Sequence, residues 1–295
     1  MTSTEAEGWA RMAAMAREMR AEEAGLGIVE RRDAWQARAA ATPPPEGVEL
    51  EPLTLAGVPC ERVTADATGP LIVFLHGGGY VAGSPTTHRG LTAQMARSLA
   101  GQVLAIDYRL APEHPYPAAL EDVQAVWREL PKLAGERTLL AAGDSAGAGL
   151  LVALLCGLGP DALKPERAWL LCPHADLTLA GVSFERCEPF DFVLTKAGLT
   201  QTAAAYAGDL PVSDPRVSPL FADLSGLPPL LVQVGGHDLL FDEGVELARR
   251  AAAQGVDVTL TSAPAAPHAW YGMTAASPTA ARHMAFGLRW LAGEV

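Results

Sequence analysis

The chain has 295 residues, 49% hydrophobic and 19% charged, which is enough apolar material for a large core and too little charge for a disordered chain. Its 22 basic and 34 acidic side chains leave a formal charge of −12, which argues against nucleic acid or anionic membranes as partners, since both demand basic patches. The four cysteines (Cys60, Cys156, Cys172, Cys187) lack paired spacing, so no metal site is expected from them.

Residues 4–20 read as an amphipathic helix, with a capping-box pattern at Thr4 and Glu7 and a stripe through Trp9, Met12 and Met19. The acidic start, without an apolar run before a cleavage-like site, predicts no signal peptide. No stretch approaches the ~18 apolar residues of a membrane span, so a cytoplasmic protein is expected. A second helix over 29–41 stops at Thr42-Pro43-Pro44-Pro45, a stiff linker, and the body of the protein is expected to follow it. Two strands, 48–55 and 58–64, flank Ala56-Gly57 as a hairpin.

The rhythm then changes. Residues 71–75, 103–107, 138–142, 168–172 and 230–234 are short, nearly continuous apolar runs, the pattern of strands buried on both faces of a parallel sheet. Helical patterns over 86–100, 118–130, 147–157 and 242–254 separate or follow them, and 256–261 and 279–291 read as a last strand and a closing helix. The alternation predicts an α/β fold, a mostly parallel central sheet with helices on both faces. Residues 176–222 break it, and an insertion of that length is expected to be functional, covering the sheet's carboxyl edge with the N-terminal helices.

Ser145 lies in Gly143-Asp144-Ser145-Ala146-Gly147, between a strand and a small-residue helix. Acyl transfer needs its nucleophile on such a tight turn, where glycines two before and two after relieve crowding and the helix N-terminus faces a developing oxyanion. His76-Gly77-Gly78-Gly79 follows the 71–75 strand and offers bare backbone amides for the other half of an oxyanion hole. It lacks the pattern of a phosphate loop, and His76 is expected to orient the loop rather than act as a base. In this fold class the acid and base follow the serine in that order. Asp238, just after the 230–234 strand, is favoured over Asp242, which helix capping explains. Of the two later histidines, His268 sits in the loop after the last strand and is favoured over His283, inside the closing helix.

The run Asp107-Tyr108-Arg109-Leu110-Ala111-Pro112-Glu113-His114-Pro115, continued by Tyr116-Pro117-Ala118-Ala119-Leu120-Glu121-Asp122, resembles the hormone-sensitive-lipase family of bacterial esterases. So do the HGGG and GDSAG segments, Ser218-Pro219-Leu220 and Leu227-Pro228-Pro229, in family order over about residues 70 to 270. The resemblance implies an α/β-hydrolase fold with a helical cap made of residues 1–45 and the insertion at about 176–222, over a catalytic body of 46–295. It implies Ser145, Asp238 and His268 as a catalytic triad and the amides of Gly77, Gly78 and Ala146 as the oxyanion hole. It also implies a carboxylic ester hydrolase that attacks small, short- to medium-chain acyl esters, with water as second substrate and no metal or organic cofactor. Tyr80 and the insertion's Phe190, Phe192 and Tyr206 either line the acyl or alcohol pocket or pack within the cap. Lactone and amide hydrolysis share the same machinery, while a non-catalytic ligand-binding homologue is disfavoured because all three triad members are present. Relatives often form homodimers, and nothing in the sequence locates an interface. The chain departs from the family pattern in Pro267, just before His268, and in the short apolar loop that precedes it.

Overall fold

The computed structural model describes residues 3–159 and 161–295, with side chains from Glu5 onward. The Thr4 side chain, on which the expected capping box turns, lies outside the described residues.

Eight strands form one sheet: β1 (Glu49–Leu55), β2 (Val58–Thr64), β3 (Leu71–Leu75), β4 (Gln102–Ile106), β5 (Leu139–Asp144), β6 (Ala168–Leu171), β7 (Leu230–Gly235) and β8 (Val258–Ala263). Their order is β1-β2-β4-β3-β5-β6-β7-β8; β2 runs antiparallel to both neighbours and every other pairing is parallel. All residues of β3, β4, β5, β6 and β7 are buried, which is why these runs carry no polar alternation. Leu71, Val73 and Leu75 enter the core on one face of the sheet, and Ile72 and Phe74 the core on the other. The edge strand β1 is exposed at Glu49 and Glu51, charges that discourage pairing with another chain. The hairpin turn at Ala56-Gly57 has φ of 49° and 83°, the handedness that matches twisted strands.

One face of the sheet is covered by α4 (Ala118–Ala134), α5 (Ala146–Cys156) and α8 (Phe241–Ala253), the other by α3 (Arg89–Ser98) and α9 (Pro278–Leu291). The helix expected over 86–100 is broken: Thr86–His88 forms a 3-10 turn before α3. There the Thr87 N–H bonds Ser84 Oγ and the Thr87 hydroxyl bonds the Ser84 carbonyl, so side chains compete for the backbone. Helix α4 runs past Pro131, where the sequence suggested an end, and its last turn buries Ala134. The final strand starts two residues later than its apolar pattern.

The N-terminal helices α1 (Ser3–Glu22) and α2 (Ile28–Ala40) pack on this body. Buried Glu5 accepts hydrogen bonds from the Ser277 hydroxyl and Thr279 N–H, and Trp9 enters the core. The insertion contains α6 (Ser183–Arg186) and α7 (Lys196–Ala207), the latter capped by Thr195 Oγ1 accepting from Gly198 N–H. Among the described residues no helix is long and apolar enough to cross a membrane.

Trp169 of β6, fully buried, donates its indole N–H to Gln233 Oε1 of β7 at 2.9 Å, and Gln233 Nε2 donates to Thr261 Oγ1 of β8 and the His283 carbonyl of α9. This buried amide clips three strands to the closing helix. Gln233→Leu strands the indole donor, so a loss of about 1–3 kcal/mol is expected in urea unfolding, with unchanged secondary structure by circular dichroism.

Candidate active site

Every segment singled out for chemistry emerges at the carboxyl edge of the sheet, around the point where strand order reverses beside β3 and β5. Ser145 joins β5 to α5 with φ 52° and ψ −121°, a backbone conformation unfavourable for a residue with a side chain. Three hydrogen bonds hold it there: Ser145 N–H to the Leu171 carbonyl at 2.8 Å, and Gly149 and His174 N–H to the Ser145 carbonyl at 3.1 and 3.0 Å. A Cβ on Gly143 would lie 2.7 Å from the Gly147 carbonyl oxygen, and one on Gly147 would lie 2.1 Å from that of Leu75. The two glycines of the pentapeptide therefore permit close approach of strand, turn and helix.

His268 Nε2 lies 2.9 Å from Ser145 Oγ, and His268 Nδ1 lies 3.0 and 3.1 Å from the two oxygens of Asp238. The structure thus brings together the three residues selected from the sequence, and it buries all of them. Burial disfavours the His268 imidazolium, but Asp238, with weaker help from Asp191 and Asp144, outweighs it and raises the pKa to about 8. Asp238 also accepts the Leu240 N–H at 2.8 Å. Asp242 does not cap α8: its carboxylate accepts the Ser183 N–H at 2.7 Å, tying the insertion to that helix.

The glycine loop requires one correction. The Gly77 N–H, expected in the oxyanion hole, donates instead to Asp144 Oδ1 at 2.9 Å. Asp144 folds back beneath the loop and takes that donor, whereas Gly78 and Gly79 face the cavity beside Ser145. Gly78 has φ +122°, and a Cβ there would lie 2.2 Å from the Ala82 carbonyl oxygen, so only glycine fits. Ala146 opens α5, where the first N–H groups have no partner within the helix. His76 packs flat on Tyr108 at 4.2 Å with Nδ1 2.9 Å from the Gly77 carbonyl, and burial, followed by nearby His88, pushes its pKa down to about 3. It is a neutral brace of the loop.

Sequence reasoning missed the polar network around Asp144. Its Oδ2 accepts the Tyr271 hydroxyl at 2.6 Å, and its Oδ1 lies 3.4 Å from His88 Nε2. Burial alone would raise the Asp144 pKa, but His88, Tyr271 and the Gly77 amide reverse this and lower it. Burial likewise opposes charge on His88, and Asp144 overrides it and raises the pKa. Glu243 of α8 is a second buried brace, accepting from the Ala175 and Asp176 amides at 3.2 and 2.7 Å and pairing with His174 Nδ1 at 3.0 Å. Burial raises the pKa of Glu243. Asp191 of the insertion is a third, taking the amides of Val193, Leu194 and, from the Asp238 loop, Leu239. The local signals for these residues are faint, because each partner comes from a distant part of the chain.

A cavity of about 730 Å³ opens above Ser145 and His268. Its apolar wall is built from Trp35 of α2, Leu91 of α3, the insertion's Val193, Leu194 and Leu199, and Tyr271. None of the four aromatics considered for this role lines it. Tyr80, at φ 64°, is turned into the core, where it stacks on Tyr206 at 3.9 Å and donates to the His174 carbonyl. Phe190 is 54% exposed and stacks on His237, and Phe192 packs against the core. The turn after the glycines and the packing of the insertion bury the tyrosines, leaving aliphatic side chains to shape the cavity.

Cys172, Asp238 and His268 offer donor atoms within 4.8 Å of one another. Burial and neighbouring Asp238 push the Cys172 thiol well above its ordinary pKa, so it remains protonated and is a poor metal ligand. The four cysteines are unpaired.

A family model described as the alpha/beta hydrolase fold matches residues 72–272. An esterase from Acinetobacter venetianus is 38% identical over 216 residues, covering 72% of this chain and 71% of that protein. An acetyl-hydrolase from Streptomyces hygroscopicus is 40% identical over 208 residues, covering 69% of each. The crystal structure of an esterase from the bacterial hormone-sensitive lipase family superposes with a TM-score of 0.92 at 36% identity, covering 100% of this chain and 99% of that one. The sheet, the turn at Ser145 and these likenesses agree: the chain belongs to the α/β-hydrolase fold family and, within it, to the bacterial esterases akin to hormone-sensitive lipase.

Proposed function

We propose that this protein is a carboxylesterase in which Ser145, His268 and Asp238 form the catalytic triad, acting on small, short- to medium-chain acyl esters. The observation that carries the reading is the unbroken line from Ser145 Oγ through the His268 ring to Asp238, buried at the floor of a cavity. The names of the relatives, esterase and acetyl-hydrolase, support the reaction class.

In the acylation step His268 Nε2 takes the Ser145 proton as Oγ attacks the ester carbonyl. Negative charge moves to the carbonyl oxygen, where the amides of Gly78, Gly79 and Ala146 receive it. Asp238 stabilises the imidazolium, which then protonates the departing alcohol and leaves an acyl-enzyme. Water, deprotonated by His268, attacks that acyl group; collapse expels Ser145, which recovers its proton, and releases the carboxylic acid. Asp144 touches none of the reacting atoms and acts as a positioning residue, through Gly77 for the glycine loop and through Tyr271 for the segment after His268.

Residues 1–45 and the insertion at about 176–222 act as the cap over a body of 46–295. Trp35 from the first and Val193, Leu194 and Leu199 from the second enclose the cavity, which favours compact soluble esters over lipid emulsions. The unpaired cysteines fit a reducing, cytoplasmic setting.

Ser145→Ala is expected to lower p-nitrophenyl butyrate hydrolysis by a factor on the order of 10⁴ and to abolish labelling by a fluorophosphonate. Retained turnover or labelling removes the serine from the mechanism. The base must be neutral to accept a proton, and Asp238 raises its pKa, so kcat/KM should fall tenfold per unit well below pH 8 and level off above it. A profile already flat from pH 6 contradicts this. Asp144→Asn should reduce kcat by roughly ten- to a hundredfold with a smaller change in KM, less than the loss of an oxyanion donor itself. A change confined to KM would remove Asp144 from the support of the transition state.

A further inference from the structure

The cavity holds a cation that simple ester hydrolysis does not use. At its floor each carboxylate has a histidine partner, Asp144 with His88 and Asp238 with His268. Arg31 of α2 is the sole lysine or arginine among the described residues lining the cavity, in a protein of net charge −12.

Arg31 has no acidic partner among the described residues. Its one hydrogen bond runs from Nη2 to the neutral Gln201 Oε1 of α7, at 3.1 Å. Neighbouring acids are engaged elsewhere: Glu30 accepts the Gly27 N–H, Glu23 pairs with Arg38, and Glu113 pairs with Arg32. A second guanidinium, Arg20 of α1, donates to the carbonyl of Leu194, a cavity-wall residue, and it too lacks an acidic partner among the described residues. Two uncompensated cations thus flank the 193–202 wall, each satisfied by a neutral oxygen. A guanidinium forms its strongest hydrogen bonds with a carboxylate, which takes two of its N–H groups side by side.

We infer that the preferred substrates of this site are esters bearing a carboxylate at the end remote from the scissile bond, with the carboxylate held at the cavity mouth by Arg31. This rests on the esterase reading above and narrows it to a substrate class. The pairing fixes the orientation: the charged groups beside Ser145 are already matched as Asp144 with His88 and Asp238 with His268, whereas Arg31 lines the cavity with no acidic partner among the described residues. Hydrolysis then follows the acyl-enzyme route already given and releases an anionic acid or an anionic alcohol, according to which side of the ester carries the carboxylate.

Two matched pairs of substrates test this, one for each side of the ester. p-Nitrophenyl hydrogen adipate is compared with its neutral methyl ester, and 4-acetoxybutanoate with methyl 4-acetoxybutanoate followed at the acetyl group. In at least one pair the anionic member should have the higher kcat/KM, by about five- to tenfold in 50 mM salt. The advantage should shrink in 500 mM salt, because a rim charge is screened. The ratio should fall to near one in Arg31→Gln and be largely kept in Arg31→Lys, with the difference residing in KM. A neutral preference in both pairs overturns the inference, as does an anionic preference that survives Arg31→Gln, or a loss in that variant shared equally by anionic and neutral members. The last outcome would make Arg31 a strut between α2 and α7. Ser145-dependent hydrolysis of the neutral esters leaves the esterase reading standing in each of these cases, and its absence removes that reading separately.

Discussion

The buried carboxylate of Asp144 is the interaction on which the site's architecture depends. It sits next to Ser145, accepts a hydrogen bond from the glycine loop through Gly77 and another from Tyr271, three residues after His268, and is paired with His88. A buried negative charge is tolerable only when its partners satisfy it. Their arrangement is therefore constrained: if the glycine loop or the His268 loop moves, an uncompensated charge is left in the core. One side chain thus registers the segments that follow β3 and β8 against the Ser145 turn that follows β5.

Around that charge the molecule repeats the device. Glu243 on α8 holds the loop after β6, whose His174 N–H in turn bonds the Ser145 carbonyl. Asp191 joins the cavity wall to the loop carrying Asp238. The motif following β4 contributes from below: Tyr108 donates its hydroxyl to the His76 carbonyl at 2.5 Å, and Ala111 N–H bonds the Tyr80 carbonyl. Its Arg109 is anchored by Asp122 of α4. These residues hold amides and rings in place around the site, to the tolerance that acyl transfer demands.

The strained turn at Ser145 depends on the same rigidity. Its positive φ places the hydroxyl above the sheet edge, and the backbone bonds to Leu171, Gly149 and His174 offset the strain. The small residues of α5 let that helix lie directly against the glycine-loop strand, which brings the helix N-terminus to the Ser145 turn.

Much of this was legible in one sequence. Continuous apolar runs identified the central strands because burial on both faces leaves no room for polar alternation, and strand endings then pointed to Ser145, Asp238 and His268, which local turn chemistry marks. Asp144 stood inside a recognised motif, but its function depends on Gly77, His88 and Tyr271, which lie 67, 56 and 127 residues away along the chain. No local pattern encodes such a meeting. For the same reason the family resemblance placed the Gly77 amide in the oxyanion hole, and the sequence left open whether Tyr80, Phe190, Phe192 and Tyr206 line the cavity or pack within the cap. Whether an amide is free, and whether an aromatic ring faces a cavity or the core, is decided by what packs against it. The sequence by itself determined which groups stand at the ends of the strands; only the tertiary structure decided which remain unpartnered and face the cavity, because hydrogen bonding and burial are settled between segments distant in the chain.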